Sequence, residues 1–126
     1  MNNTYKLNST SQRDKEPEKM VLYVVGTPIG NLNDISLRAK EILKNVSLIA
    51  CEDTRVTKKL LNYLKIKNKL LSFYEHNSQT KTTKIINLLK EGYSIALVSD
   101  AGMPTISDPG ENLISEVRKN NFDVIC

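Results

Sequence analysis

The chain has 126 residues, of which 40% are hydrophobic and 25% charged, and this suits one folded domain. Its formal net charge of +4 permits a nucleic-acid partner without requiring one. The two cysteines, Cys51 and Cys126, lie in apolar runs, which excludes a disulfide framework and fits a reducing cytosol. No apolar run approaches the roughly 20 residues that span a bilayer, and no signal peptide is recognisable. We therefore expect a cytoplasmic protein that has no membrane contact.

Short β-branched runs alternate with runs of helical spacing over most of the chain. Residues 1–20 are polar and predict a disordered tail, which leaves residues 21–126 as one α/β domain. Strands are predicted at residues 22–25, 48–51, 70–74, 95–98 and 123–126. Four helices lie between them, so the sequence predicts a three-layer α/β fold with a mostly parallel five-stranded sheet. The sequence stops inside the last strand, and we expect it to be the front part of a longer protein.

Polar residues follow four of the predicted strands, at residues 26–31, 52–55, 75–77 and 100–107. The carboxyl ends of parallel strands meet at one edge of the sheet, where α/β folds bind their ligands. We therefore expect these four segments to border one crevice.

The helix starts carry capping signals. Asp34 is the predicted cap of the first helix, and Asp53 or Thr54 that of the second. The last helix is predicted to begin at Asp108, whose capping position is supported by Pro109 and by Glu111 three residues later. Helix capping explains Asp108, Pro109 and Glu111, whereas for Asp100, at the end of a strand, a ligand-binding role is the better explanation.

Several polar positions have both a structural and a functional interpretation. The glycines near Pro28 fit neither a P-loop nor a dinucleotide fingerprint, so a tight turn and a ligand loop are equally favoured there. His76 is the single histidine, and base rates favour a structural hydrogen bond for it. Six cations and no acids occupy residues 55–69, which indicates either a solvated helix face or, slightly preferred, a phosphate-binding surface.

Taken together, residues 22–32, 52–55, 75–77 and 98–110 resemble the tetrapyrrole methylase superfamily in order and spacing. Within it they look most like the branch that methylates a cytidine ribose 2′-hydroxyl of small-subunit ribosomal RNA. The resemblance covers residues 21–126. Met103 stands where a Thr is frequent in the family, and we expect this to be tolerated because the neighbouring backbone would make most contacts.

The resemblance implies S-adenosylmethionine as the methyl donor, in a cleft between two α/β domains of which this chain has the first. The chain alone is therefore expected to be inactive. By similarity, one wall of the cofactor site would consist of Asp100, Ala101, Gly102, Met103, Ile106 and Ser107, and its rim of Pro28 and Gly30.

A ribose hydroxyl is a poor nucleophile and gains from a base within hydrogen-bond reach. The candidate bases are Glu52, Asp53 and His76, and the sequence does not choose among them. The predicted RNA contacts are Arg55, Lys58 and Lys59. One histidine and two separated cysteines fall short of a zinc site, so no metal is expected.

Two other functions stay open. A corrin or porphyrin precursor would be the substrate if the chain belonged to another branch of the superfamily. A flavodoxin-like binding module is disfavoured because phospho-acceptor receivers carry acidic residues after the first strand, where this chain has Gly26, Thr27 and Pro28. The target nucleotide and the oligomeric state, with a homodimer as one option, stay open too.

Overall fold

The computed structural model describes residues 16–28, 32–99 and 106–126. In these ranges five strands alternate with four α-helices, as the sequence predicts. The strands are β1 (Val21–Gly26), β2 (Leu48–Cys51), β3 (Leu70–Ser72), β4 (Ile95–Ser99) and β5 (Asp123–Ile125). The helices are α1 (Leu37–Asn45), α2 (Thr54–Leu64), α3 (Ser78–Lys90) and α4 (Asp108–Lys119), and two short 3-10 helices cover Leu32–Asp34 and Glu75–Asn77.

The strands form a single sheet in the order β3-β2-β4-β1-β5, and every neighbouring pair is parallel. The central pair is β1 and β4, which run in register from Leu22 opposite Ile95 to Gly26 opposite Ser99. All five carboxyl ends therefore lie at one edge of the sheet. The predicted α/β class and parallel sheet are confirmed.

The helices cover both faces of the sheet, two on each. On one face, α1 and α2 bury Ile42, Leu43, Leu60 and Leu61 against alternate residues of the strands. On the other face, α3 and α4 bury an equivalent set, which consists of Ile85, Ile86, Leu89, Leu113 and Val117. Because both faces of the sheet are covered, the strands read as continuous apolar runs.

The cap predicted for the first helix is wrong. Ser36 caps α1, and its Oγ accepts a hydrogen bond of 3.0 Å from the backbone N–H of Ala39. Asp34 lies in the preceding 3-10 helix instead. Serine and aspartate cap helices equally well, so the sequence alone did not separate two positions that lie two residues apart.

Residues 16–20 belong to the predicted tail but are tied to the domain. Glu16 forms a two-pronged ion pair with Arg38, with distances of 2.9 and 2.7 Å. The backbone N–H of Glu18 donates to the hydroxyl of Tyr23 at 2.7 Å, and burial raises the pKa of that phenol. Residues 1–15 of the predicted tail lie outside the described residues. Each described helix is too short or too polar to cross a bilayer.

The buried face of α2 contains a threonine, while the neighbouring valine faces outward. Val56 is 50% exposed, whereas Thr57 is 1% exposed. Thr57 shares a helical stripe with the buried Leu60 and Leu61, at the spacing i, i+3 and i+4. Its hydroxyl has no hydrogen-bond partner within the part of the chain that the structure describes.

Replacing Thr57 by Val should stabilise the chain, because a buried unpaired hydroxyl costs about 1–3 kcal/mol. We expect urea denaturation to show a gain of about 1 kcal/mol in the free energy of unfolding. Thr83→Val is the matched control, since Thr83 is an exposed helical threonine whose hydroxyl donates to the carbonyl of Gln79. A loss of stability in Thr57→Val that exceeds the loss in the control would contradict the assignment.

Candidate active site

The carboxyl ends of β1 and β4 mark a switch point in the sheet. These two strands are neighbours, but the helix that follows β1 packs on one face and the helix that follows β4 packs on the other. The elements that follow these two neighbouring strands therefore lie on opposite faces of the sheet. Crevices of this kind are where open α/β sheets bind their ligands.

Thr27 joins the two strand ends at the base of this crevice. Its backbone N–H and its hydroxyl both donate to the carbonyl oxygen of Ser99, at 3.1 and 3.0 Å. Thr27 is buried, and the next residue, Pro28, is half-buried at the predicted cofactor rim. Sequence reasoning gave Thr27 no role, because nothing in the pattern signals a contact 72 residues away.

Most of the predicted cofactor wall lies outside the described residues. This holds for the wall residues Asp100, Ala101, Gly102 and Met103, and also for Gly30 at the rim. The structure does place Ile106, half-buried, and Ser107, exposed, at the end of the loop that follows β4.

Ser107 caps α4, so the predicted cap at Asp108 is wrong. The Oγ of Ser107 accepts from the backbone N–H of Gly110 at 3.3 Å, while Asp108 occupies the first turn of the helix. Together with Glu111, Asp108 adds negative charge near the positive end of the helix dipole. The capping box centred on Asp108 is therefore replaced by a serine cap one residue earlier. Ser107 was predicted as a cofactor contact, and the structure shows that its hydroxyl oxygen accepts a hydrogen bond as the helix cap.

Gly110 lets the loop pack closely on α4. A Cβ added at this buried glycine would lie 2.8 Å from Cγ2 of Ile106 and 3.6 Å from Cδ2 of Leu97. The first of these distances is too short for any side chain, so only glycine fits while Ile106 keeps its place. This contact fixes the last described residues of the loop against β4. The Pro-Gly pair in the sequence was the one signal for it.

The acidic residues after β2 have different environments. Asp53 caps α2, where one carboxylate oxygen accepts from the backbone N–H of Arg55 at 2.9 Å. The guanidinium of Arg55 also donates to both oxygens of this carboxylate, at 3.3 and 3.4 Å. These side-chain bonds, followed by the backbone bond, lower the pKa of Asp53. Glu52, one residue earlier, is exposed at the end of β2.

After β3, the side chain of Asn77 stabilises the turn by hydrogen bonds, and His76 is exposed to solvent. The side-chain oxygen of Asn77 accepts from the backbone N–H of Tyr74 at 2.8 Å, and its amide donates to the carbonyl of Ser72 at 3.1 Å. His76 is exposed and meets the ring of Tyr74 edge to face, with centroids 6.3 Å apart. An asparagine in the polar segment after a strand is a known turn signal, which could have identified this role.

The sheet order ranks the candidate bases by their distance from the crevice. Glu52 and Asp53 follow β2, which is the direct neighbour of β4, whereas His76 follows β3, one strand further out. Since neighbouring strands lie about 4.8 Å apart, β3 is about 10 Å from β4. The strand end that precedes the two carboxylates is therefore closer to the crevice than the one that precedes the histidine.

The predicted RNA-binding residues all lie on α2. Arg55 is paired with Asp53, and Lys58 and Lys59 are exposed. Arg55 and Lys58 line one groove, which Lys59 does not. Among the described residues, no three histidine, cysteine or acidic side chains cluster in a way that could hold a metal ion.

The family described as Tetrapyrrole (Corrin/Porphyrin) Methylases matches residues 21–125 of this chain. Two relatives are each named "Ribosomal RNA small subunit methyltransferase I". The one from Mycoplasmopsis pulmonis is 54% identical over 103 residues, which are 82% of this chain and 46% of the relative. The one from Thermotoga maritima is 55% identical over 103 residues, with the same two shares. The chain thus spans less than half the length of these relatives.

Two solved structures have a similar fold. Uroporphyrin-III-C-methyltransferase from Thermus thermophilus has a TM-score of 0.64 at 19% identity, with 83% of this chain and 45% of that chain covered. A diphthine synthase has the same TM-score at 14% identity, with 83% and 42% covered. At these identities the likeness concerns the fold alone.

Replacing Gly110 by Ala should destabilise the chain, although alanine is normally the better helix former by about 0.5–1 kcal/mol. The added methyl would displace Ile106, and overpacking of this kind costs about 1–3 kcal/mol. Thermal unfolding of Asn112→Ala, an exposed position of the same helix, provides the control. If Gly110→Ala unfolded at the parent's temperature or above it, the close contact would be refuted.

Asp53 should make stability depend on pH. Because its pKa is lowered in the folded chain, the ionised carboxylate stabilises the fold above its unfolded value, and this stabilisation is lost as the pH falls through the folded value. Asp53→Asn keeps a capping oxygen but has no charge. Urea denaturation should find the parent more stable than the variant at about pH 7. This difference should shrink as the pH falls below the ordinary value of 3.8, and a constant difference would disprove the coupling.

Proposed function

This chain belongs to the tetrapyrrole methylase family, and on that premise we propose that it is part of a methyltransferase that modifies small-subunit ribosomal RNA. In this proposal the donor is S-adenosylmethionine and the acceptor is the ribose 2′-hydroxyl of a cytidine. The observation that carries it is the identity of more than half of the aligned residues to relatives that bear this ribosomal RNA name. An RNA substrate of this kind would be met in the cytoplasm.

A tetrapyrrole substrate has weaker support. The similarity to the uroporphyrin-III-C-methyltransferase rests on 19% identity. At this level a shared fold can be inferred, but a shared substrate cannot. The aligned identity to the ribosomal RNA methyltransferases is nearly three times higher. Specificity is a property of the site and not of the fold, so we give weight to the relatives.

The described part of the crevice fits the proposed cofactor. Pro28 and Ile106 are half-buried apolar residues at the start of one diverging loop and the end of the other. Thr27 fixes the two strand ends between them, so the base of the crevice is set before a ligand arrives. When bound, S-adenosylmethionine supplies a sulfonium methyl group that a nucleophile can attack. Positioning of the nucleophile supplies much of the rate in such transfers.

Further cofactor contacts are proposed from the resemblance alone. They comprise the predicted wall residues Asp100, Ala101, Gly102, Met103 and Ser107, and Gly30 at the rim. In this arrangement the carboxylate of Asp100 would accept hydrogen bonds from hydroxyl or ammonium groups of the cofactor.

Glu52 is our preferred general base. Its carboxylate is exposed at the end of β2, directly beside β4, where it could take the proton of the ribose hydroxyl. Asp53 is the weaker candidate because its capping bonds and its partner Arg55 lower its pKa. His76 is a second alternative, one strand further from the crevice. Arg55 and Lys58, which line a groove beside α2, would contact the RNA, whereas Lys59 lies on α2 outside that groove.

The test uses a chimera in which this chain replaces the matching segment of the Thermotoga maritima relative. It is incubated with methyl-labelled S-adenosylmethionine and, in separate reactions, with small ribosomal subunits or uroporphyrinogen III. We expect label in the RNA at a cytidine ribose. Glu52→Gln should lower the rate by about 10²–10⁴-fold, as loss of a general base does, and His76→Gln by less than about tenfold.

The unmodified relative is the control for the assay, and cooperative thermal unfolding of each chimera is the control for folding. Label in the tetrapyrrole alone would overturn the RNA substrate. A folded chimera that labels neither substrate, beside an active relative, would overturn the proposed function. A larger effect of His76→Gln than of Glu52→Gln would reverse the choice of base.

A further inference from the structure

An open groove of about 620 Å³ runs beside α2, on the side facing the edge strand β3. One wall is a face of α2 that carries Arg55, Lys58 and Asn62, and the other wall is the segment that leads into β3, with Lys67. Leu61 and Ile66, both buried, contribute apolar surface between the walls. The groove therefore combines cations on two sides with an apolar floor.

The lysines of the groove have no competing partners. Among residues 16–28, 32–99 and 106–126, neither Lys58 nor Lys67 is within ion-pair distance of a carboxylate. Residues 55–69 contain no acidic residue at all. Arg55 alone is engaged, with Asp53. An anion that entered the groove would not have to displace an internal ion pair at either lysine.

The wall that carries Lys67 is held in place by the rest of the domain. The side-chain amide of Asn68 donates to the carbonyls of Leu43 and Val46, at 2.8 Å each. On the other side, Lys65 adopts a left-handed conformation with φ of 59°, and the backbone N–H of Ile66 donates to the carbonyl of Leu61 at 2.9 Å. The groove therefore exists before a ligand arrives, which reduces the ordering cost of binding.

The dimensions of the groove suit a nucleic-acid strand. From Arg55 to Asn62 the helix rises about 10 Å at 1.5 Å per residue. On a helically stacked strand, which carries one phosphate per about 3.4 Å of axis, this length corresponds to about three nucleotides. The upper end of the groove is Arg55, three residues after Glu52 at the carboxyl edge of the sheet. A strand that followed the groove upward would reach the candidate active site.

We propose that this groove binds the sugar–phosphate backbone of RNA, with Lys58 and Lys67 contacting phosphates from opposite walls. The inference rests on the proposed function, since it assigns the path by which the RNA substrate reaches the crevice. It also divides the basic residues of this segment into two classes. Lys58 and Lys67 line the groove and contact phosphate, whereas Lys59 and Lys69 lie outside it and are solvated.

The experiment compares two variants of this chain that lose the same charge. Lys58→Ala/Lys67→Ala removes the groove lysines, and Lys59→Ala/Lys69→Ala removes two exposed lysines of the same segment. Fluorescence anisotropy of a labelled single-stranded RNA oligonucleotide gives the affinity between about 50 and 200 mM KCl. The slope of log K against log salt should flatten by about 1.4 in the groove variant, at about 0.7 per phosphate contact. The control variant should keep the parent's slope.

If the salt slope flattened equally in both variants, RNA binding would depend on the overall charge of the segment, and the groove would be overturned. An unchanged slope in the groove variant would overturn it as well. A polyglutamate peptide that competes as well as unlabelled RNA would overturn RNA as the ligand in favour of an acidic protein. Thermal unfolding confirms that both variants fold.

The groove and the methyltransferase activity can fail separately. In the chimera, the groove variant should raise KM for the small ribosomal subunit and leave kcat near the parent's value, because its lysines bind and do not react. A chimera without activity, together with the expected salt slopes, would overturn the proposed function and leave the groove as an RNA site. Normal KM in the groove variant would overturn the groove and leave the activity.

Discussion

The pairing of β1 with β4 is the constraint on which the rest of the structure depends. These strands lie about 70 residues apart in the sequence, and the bond between Thr27 and Ser99 spans 72 residues. With β2 and β3 beyond β4 and with β5 beyond β1, right-handed crossovers place α1 and α2 on one face and α3 and α4 on the other. The crevice is a direct consequence, since the chain leaves two adjacent strands toward opposite faces.

The sequence predicted the elements well because their signals are local. Strands buried on both faces are continuous apolar runs, and helices carry a stripe of period 3.6, so all five strands and all four helices could be recognised. The helix starts were less certain. Ser36 and Ser107 cap their helices where Asp34 and Asp108 were expected, because hydroxyl and carboxylate side chains are equally good caps. The strand order had no local signal.

The site was predictable in position and less so in the role of each residue. Strand ends share an edge in any parallel sheet, so Glu52 and His76 were expected there. Whether an acidic residue acts as a base or stabilises a helix start depends on its hydrogen bonds. The bonds between Asp53 and Arg55 become visible only in three dimensions. The same is true of Gly110, whose small size matters because Ile106 lies against it. These are contacts between side chains, and a pattern of residue types does not specify them.

Asn68 has a consequence for how the chain tolerates changes in length. Surface loops usually accept insertions, and the five residues between α2 and β3 look like such a loop. The side-chain amide of Asn68 nevertheless donates to the carbonyls of Leu43 and Val46 at the end of α1. An extra residue on either side would pull this amide away from two backbone acceptors at once. The length of this connection is therefore fixed by the end of α1, a helix that precedes β2 in the chain.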